Sequence, residues 1–367
     1  MESERLSSLD TLRGLAVAAM ILVNNPGSWK SIYPVLRHAE WHGWAPTDLI
    51  FPFFLFIVGV SLALSLSRRR EERHPLSRIY LKVLSRALII FGFGFFLNLF
   101  PNFQPATVRI PGVLQRIAVC YLIASLIFLS GGKRVRLAAV LIMLAGYWLA
   151  MKFVPVPGYG PGVLDYKGNL AGYLDTRLLA GHLWRPEFDP EGLLSTLPAI
   201  ATVLLGTLAG TLLLSSKTFV RKAAVFLGYG VVLTGLGLFL HPYFPINKQL
   251  WTSTFVLFSA GIALAVLGLF VLVMEVFRLK SWSYPFLVLG SNAIAAFLAS
   301  SLLTKILTWI KVSAAGKSQT LYSWIYERAF ASWAGPMAGS LAFALGYVLL
   351  WIFLLIPLYR HKVYIKI

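Results

Sequence analysis

Apolar residues in this chain gather in long runs rather than in alternating or one-sided patterns. Stretches free of Asp, Glu, Lys and Arg cover 14–29, 49–67, 87–108, 117–132, 137–151, 192–216, 223–247, 249–274, 281–304 and 329–359. A helix needs about 20 mostly apolar residues to cross a bilayer. The pattern therefore predicts about ten transmembrane helices, the shorter runs extending past a flanking charge such as Arg116 or Lys152. The short alternating strands of a membrane barrel are not the pattern seen. The expected fold is all-α and polytopic, a single transmembrane domain over 1–367 with an extracytoplasmic loop at 154–191.

Composition agrees with this reading. Hydrophobic residues make up 58% of the chain, charged residues 13%, and mean hydropathy is +0.74; a soluble domain carries about 25% charge. A soluble enzyme, a disordered tail and a secreted disulfide scaffold are excluded. The single cysteine, Cys120, excludes an intrachain disulfide and argues against a thiolate metal cage. A net charge of +19 would suggest nucleic acid in a soluble protein, but no motif supports that partner. In a lipid bilayer it reads as the bias of cytoplasmic loops toward Lys and Arg. With the N-terminus inside and ten alternating helices, 20 of the 33 basic residues fall on the cytoplasmic side, from Arg5 and Arg13 through the 68–86 cluster to Lys366. Both termini are then cytoplasmic, in a multi-pass protein of the inner (plasma) membrane.

Polar residues near spans are expensive in lipid, so function is sought among them. Asn24 and Asn25 precede Pro26 and Gly27 at the outer end of the first helix, either as a polar helix end or as hydrogen-bonding groups of a site. His38 and His42 stand four apart and would share a helical face. A zinc pair needs further ligands, and the metalloprotease pattern fails because Ala39 follows His38, so no metal is expected. Acid–base or nucleophilic chemistry suits the imidazole. Asp48 opens the second helix, as a cap or as the carboxylate that orients His38. Arg109, Gln115 and Arg116 lead into the fourth helix, and Asp189 and Glu191 precede the sixth. Lys248 lies between the seventh and eighth, and Asn292 inside the ninth. Together with His38 and Asp48, these suggest a polar cavity opening outward.

The stretches LVNNPGSW, RHAEWHGWAPTDLIFPFFLFIVG, VRIPGVLQRI, GYLDTRLL, FDPEGLLSTLPAI, INKQLWTSTFV and GSNAI resemble the heparan-α-glucosaminide N-acetyltransferase family, in order, over about residues 5–300. The likeness is to its bacterial branch, without the large N-terminal luminal portion of the lysosomal enzyme. It implies transfer of acetyl from acetyl-CoA, as co-substrate, to the amino group of a glucosamine-type acceptor across the membrane. His38 matches the family's active-site histidine, Asp48 the aspartate ten residues on, and Asn24 the asparagine ending the first helix. His42 departs from the family pattern and receives no role. Asn24 is the candidate oxyanion donor. Arg109, Gln115, Arg116, Asp189, Glu191, Lys248 and Asn292 are expected to bind substrate, and a homodimer is expected from the family. Two other functions fit the architecture: an O-acyltransferase of cell-wall or lipid-linked sugars, and a sugar transporter.

Overall fold

A computed structural model describes residues 6–314 and 317–365. Arg5 and Lys366, counted above among the basic residues, lie outside the described residues. The chain forms α1 (Ser7–Asn24), α2 (Ile50–Glu71), α3 (Leu76–Leu99), α4 (Val113–Ser130), α5 (Lys133–Phe153), α6 (Leu170–Leu178), α7 (Thr196–Leu214), α8 (Phe219–Leu240), α9 (Ser253–Val271), α10 (Tyr284–Ser291) and α11 (Ala293–Trp309). A hairpin of β1 (Lys311–Ala314) and β2 (Lys317–Thr320) follows, then α12 (Leu321–Tyr326), α13 (Ser332–Ala334) and α14 (Pro336–Arg360). The protein is thus all-α with one small antiparallel hairpin, pairing Lys311 with Thr320.

Among the described residues, eight helices are long and apolar enough to span a membrane, and a ninth span arises if the bent pair α10–α11 is one crossing. The first predicted segment, 14–29, corresponds to α1, which carries Asp10 and Arg13 in its first turns and is not among these spans. The spans form two tiers. Within their apolar windows α7 is 72% buried and α2 and α4 are each 61% buried, whereas α8 is only 22% buried. The outer helices present Ile142, Val231, Phe239 and Phe353 outward, each at least 69% exposed. Such a surface would aggregate in water but matches a hydrocarbon solvent. At the centre α2 and α7 touch through glycines. A Cβ on Gly59 would sit 2.0 Å from Val203 O, and one on Gly206 would sit 2.1 Å from Phe56 O, so the two backbones meet where any side chain would hold them apart.

Three boundaries depart from the apolar runs. The third run was expected over 87–108, but α3 begins at Leu76 and ends at Leu99. Arg78, Lys82 and Arg86 sit on its early turns, where long side chains reach the interface while their stems stay on the helix. The expected ninth span is broken: α10 and α11 meet at Asn292 with a bend of 72°. The last span starts at Pro336 rather than near 329, because Gly335 at φ 76° turns the chain first.

The loops 25–49, 100–112, 154–195 and 241–252 share one end of the bundle. Gly43 N donates to Ile246 O at 2.8 Å and Ile110 N to His182 O at 3.0 Å, and Trp41 Nε1 donates to Leu164 O at 2.8 Å.

Candidate active site

The loop between α1 and α2 is built to present one histidine. Pro46 starts a tight turn over Pro46–Leu49 that runs into α2, using proline where its missing N–H costs nothing. Asp48, third in that turn, is 1% exposed. Its Oδ2 accepts from Ala45 N at 2.9 Å and Ala39 N at 3.1 Å. Its Oδ1 lies 2.7 Å from His38 Nδ1. One oxygen therefore caps the turn and gathers the loop, and the other faces the imidazole. Thr47 Oγ1 donates to Arg37 O at 2.8 Å and pins the residue before His38. Gly43 supplies the left-handed step, at φ 95°, that lets the strand of loop between them reverse.

The His38 side chain is 37% exposed. With the Nδ1 proton donated to a buried carboxylate, Nε2 carries the lone pair, and among the described residues no hydrogen bond engages Nε2. This is the arrangement of a base or nucleophile: a fixed tautomer and an accessible nitrogen.

Lys248 joins the pair. Its Nζ is 3.3 Å from Asp48 Oδ1 and 3.2 Å from His38 Nδ1. It is delivered by a turn that Asn247 organises. Asn247, fully buried, accepts from Leu250 N at 2.8 Å through Oδ1 and places Nδ2 3.3 Å from His42 Nδ1. Trp251, at φ 51°, packs edge-on against Phe51 of α2 at 5.1 Å. Partial desolvation lowers the pKa of His42, with Asp165 opposing and His241 adding to the effect.

A second polar cluster ties two loops together. Arg109 Nε donates to Asp189 Oδ2 at 2.8 Å and Nη2 to Asp189 Oδ1 at 2.5 Å, and Nη2 also donates to Glu191 Oε2. Burial by itself would lower the Arg109 pKa, but its hydrogen bonds to Asp189 and the charges of Glu191 and Asp189 raise it. Asp189 is fully engaged, since its oxygens also accept from Trp184 N and Glu191 N. Arg116, 2% exposed, donates from Nη2 to Gly192 O at 3.1 Å and Ser195 Oγ at 2.5 Å. Its guanidinium carbon lies 5.2 Å from the Trp251 ring centroid. Gln115, 4% exposed, packs on Gly94 and Gly112.

The structure thus brings His38, Asp48 and Lys248 into direct contact, and gathers Arg109, Asp189 and Glu191 separately. Asn24 sits exposed at the end of α1. Its neighbour Asn25 is the buried one, donating to Ile21 O and accepting from Thr304 Oγ1 at 2.7 and 2.5 Å. Asn292 is not brought to this site. At the α10–α11 break it donates to Val363 O at 3.2 Å and accepts from Ile365 N at 2.7 Å, so its amide holds the C-terminal segment. Among the described residues no group of three His, Cys, Asp or Glu side chains is arranged to hold a metal ion.

Sequence reasoning did not single out Asn247, Asn98 or Trp41. Asn98 Nδ2 donates to Arg109 O at 2.7 Å and Pro111 O at 3.0 Å, shaping the loop that carries Arg109. Trp41 stacks edge-on with Tyr166 and Phe188 at 5.4 and 5.3 Å. The available signal was adjacency: Asn247 precedes Lys248, and Trp41 follows His38 by three positions.

The comparisons with known proteins converge on these segments. The family model for heparan-alpha-glucosaminide N-acetyltransferase, catalytic, matches residues 5–226, which include His38, Asp48, Arg109, Arg116, Asp189 and Glu191. The human protein named heparan-alpha-glucosaminide N-acetyltransferase is 30% identical over 352 residues, covering 80% of this chain and 52% of the human one. Its mouse counterpart is 30% identical over 360 residues, covering 82% and 54%. The chain therefore spans about half the length of these curated relatives. A model match over more than half of its residues places the chain in the heparan-alpha-glucosaminide N-acetyltransferase family.

Proposed function

We propose that the protein is a transmembrane acetyltransferase that moves acetyl from cytoplasmic acetyl-CoA to the amino group of a glucosamine-type sugar on the extracytoplasmic side. The observation that carries this reading is the His38–Asp48 pair at 2.7 Å with the ring exposed, set in a chain of this family. The basic ends of the helices support a cytoplasmic donor side. On that side lies a cavity of about 130 Å³, lined by Ser7, Asp10, Leu287, Ser291, Tyr359 and Tyr364.

Two routes use His38 Nε2. In one it attacks the thioester carbonyl carbon. The C–S bond breaks, CoA leaves as the thiol after protonation, and the sugar amine opens the acetyl-imidazole to give the N-acetyl sugar and free His38. In the other, Nε2 takes the ammonium proton and the amine attacks the thioester carbonyl carbon directly; the C–S bond breaks, the ring returns its proton to the departing CoA sulfur, and the remaining amine proton is lost to water. Asn24 is the proposed donor to the tetrahedral oxyanion. Arg109, Glu191 and Asp189 form a wall of the acceptor side, with Arg116 and Gln115 beneath. We further propose a homodimer. Gly230 and Gly237 are spent packing α8 on α9, whereas Gly228 and Gly235 open onto free space on its outer face and permit close approach of a second copy.

The test is CoA release by the purified full chain with acetyl-CoA and a panel of glucosamine, short glucosaminides, muropeptides and hydroxyl-only sugars. Amino sugars are expected to drive release. Release with hydroxyl acceptors alone overturns the assignment in favour of O-acyl transfer, and sugar uptake by vesicles without CoA release overturns it in favour of transport.

A further inference from the structure

Lys248 was expected to bind substrate, yet its ammonium is already committed inside the site. Its Nζ stands 3.3 Å from Asp48 Oδ1 and 3.2 Å from His38 Nδ1, with the side chain 19% exposed. Asp48 Oδ2 is filled by the Ala39 and Ala45 amides. Oδ1 alone therefore serves both the Nδ1 proton and the ammonium. Two N–H donors cannot bond to each other, so a protonated Nδ1 and Lys248 share this oxygen. A second proton on the ring would put two cations 3.2 Å apart around one carboxylate.

We infer that Lys248 is a positioning residue for the His38–Asp48 pair: it shares Asp48 Oδ1 with the Nδ1 proton and opposes a second proton on the ring, so that Nε2 keeps its lone pair. The inference rests on the acetyl-transfer reading, in which Nε2 does the chemistry. From the Pro46–Leu49 turn comes Asp48, and from the 241–252 loop Lys248. On the histidine's own loop, Arg37 Nε donates to Ile32 O at 3.2 Å, and Glu40 is exposed. His42 is held by Asn247, and Asp165 of the 154–191 loop and His241 act on His42. Among the described residues only Asp48 and Lys248 place a polar side-chain atom within hydrogen-bond distance of the imidazole. The turn that carries Lys248 is rigid for this purpose: Asn247 N donates to Thr252 Oγ1 at 3.0 Å, and Thr252 also caps α9.

The test uses the purified full chain and two readouts. Diethyl pyrocarbonate reacts with an uncharged imidazole nitrogen, so His38 modification against pH, read by peptide mass spectrometry, follows the ring without any substrate. The second readout is the pH profile of kcat with acetyl-CoA and glucosamine. In Lys248→Met both profiles are expected to move to higher pH, by about one pH unit for a unit charge at this distance in a water-like dielectric. Lys248→Arg should restore them, and kcat at pH 6 should fall more than the KM for glucosamine rises. If the modification profile of folded Lys248→Met matches the wild type, the inference fails. It fails equally if only the KM for glucosamine rises, since Lys248 then binds the acceptor. Should Lys248→Met not fold, Lys248→Gln is judged by the same profiles. If wild type transfers acetyl to no amino sugar while the modification profile still shifts, the acetyl-transfer reading falls and the positioning role stands.

Discussion

At the scale of the residue, Asp48 shows how a single carboxylate holds a loop and tunes a ring at once. Its two oxygens divide the work, Oδ2 taking two backbone amides and Oδ1 taking His38. That division predicts the effect of Asp48→Asn. The Ala39 and Ala45 amides require an acceptor, so the new carboxamide must turn its oxygen to them and its NH₂ toward His38. The NH₂ then donates to Nδ1, the ring proton moves to Nε2, and the lone pair needed for chemistry is lost. The variant is expected to fold, to bind acetyl-CoA, and to transfer acetyl at least about 10²-fold more slowly. Near-normal turnover would show that the tautomer does not matter. His38→Ala should lose at least the same factor, checked by CoA release beside a thermal-unfolding control. Sequence alone left Asp48 equally a cap or a partner, because both need a carboxylate at a helix start. Only the folded loop shows that it is both.

At the scale of the element, contacts decide what composition leaves equal. Gly206 and Gly146 are both helical glycines in apolar spans, but one lies against α2 and the other faces open space. Gly206→Ala is expected to cost on the order of 1–3 kcal/mol through overpacking, and Gly146→Ala to be neutral or slightly stabilising, measured as unfolding temperature in detergent. The contact between α6 and the turn before α7 carries a second test. Asp175, 1% exposed, accepts from Leu193 N at 2.8 Å, and burial pushes its pKa up to about 6, outweighing that hydrogen bond. The protonated acid is therefore favoured by the fold. Its contribution to stability is greatest below the unfolded value near 3.8 and is lost as pH rises through about 6. Relative to Asp175→Asn, the wild type should lose thermal stability between about pH 4 and 6, and a flat difference would refute the sign. The broken span at Asn292 belongs to this scale too. Its run of apolar residues reads as one helix, and nothing local forbids that. The break is paid for by the hydrogen bonds to Val363 and Ile365, residues about seventy positions away.

At the scale of the whole molecule, the proposed sidedness gives a labelling test. Cys120 is fully buried, so the native thiol should stay silent to an impermeant reagent. A cysteine replacing Lys167, whose side chain is 64% exposed, should react from outside intact cells, and one replacing Arg70 should not. The reverse pattern would invert the orientation and remove the proposed donor side. The sequence by itself determined the solvent, the fold class and the family. Burying backbone in hydrocarbon demands long apolar helices, and that demand is written in unbroken runs readable without coordinates. It also named His38 and Asp48, ten residues apart on one loop, where local turn chemistry restricts their meeting. The tertiary structure decided the partners that come from distant segments. It set Lys248 against Asp48 from 200 positions away, closed Arg109 onto Asp189 across 80, and turned the amide of Asn292 to the C-terminal segment. Each such contact depends on where a distant helix end lies in space, which helix packing sets and no local pattern encodes.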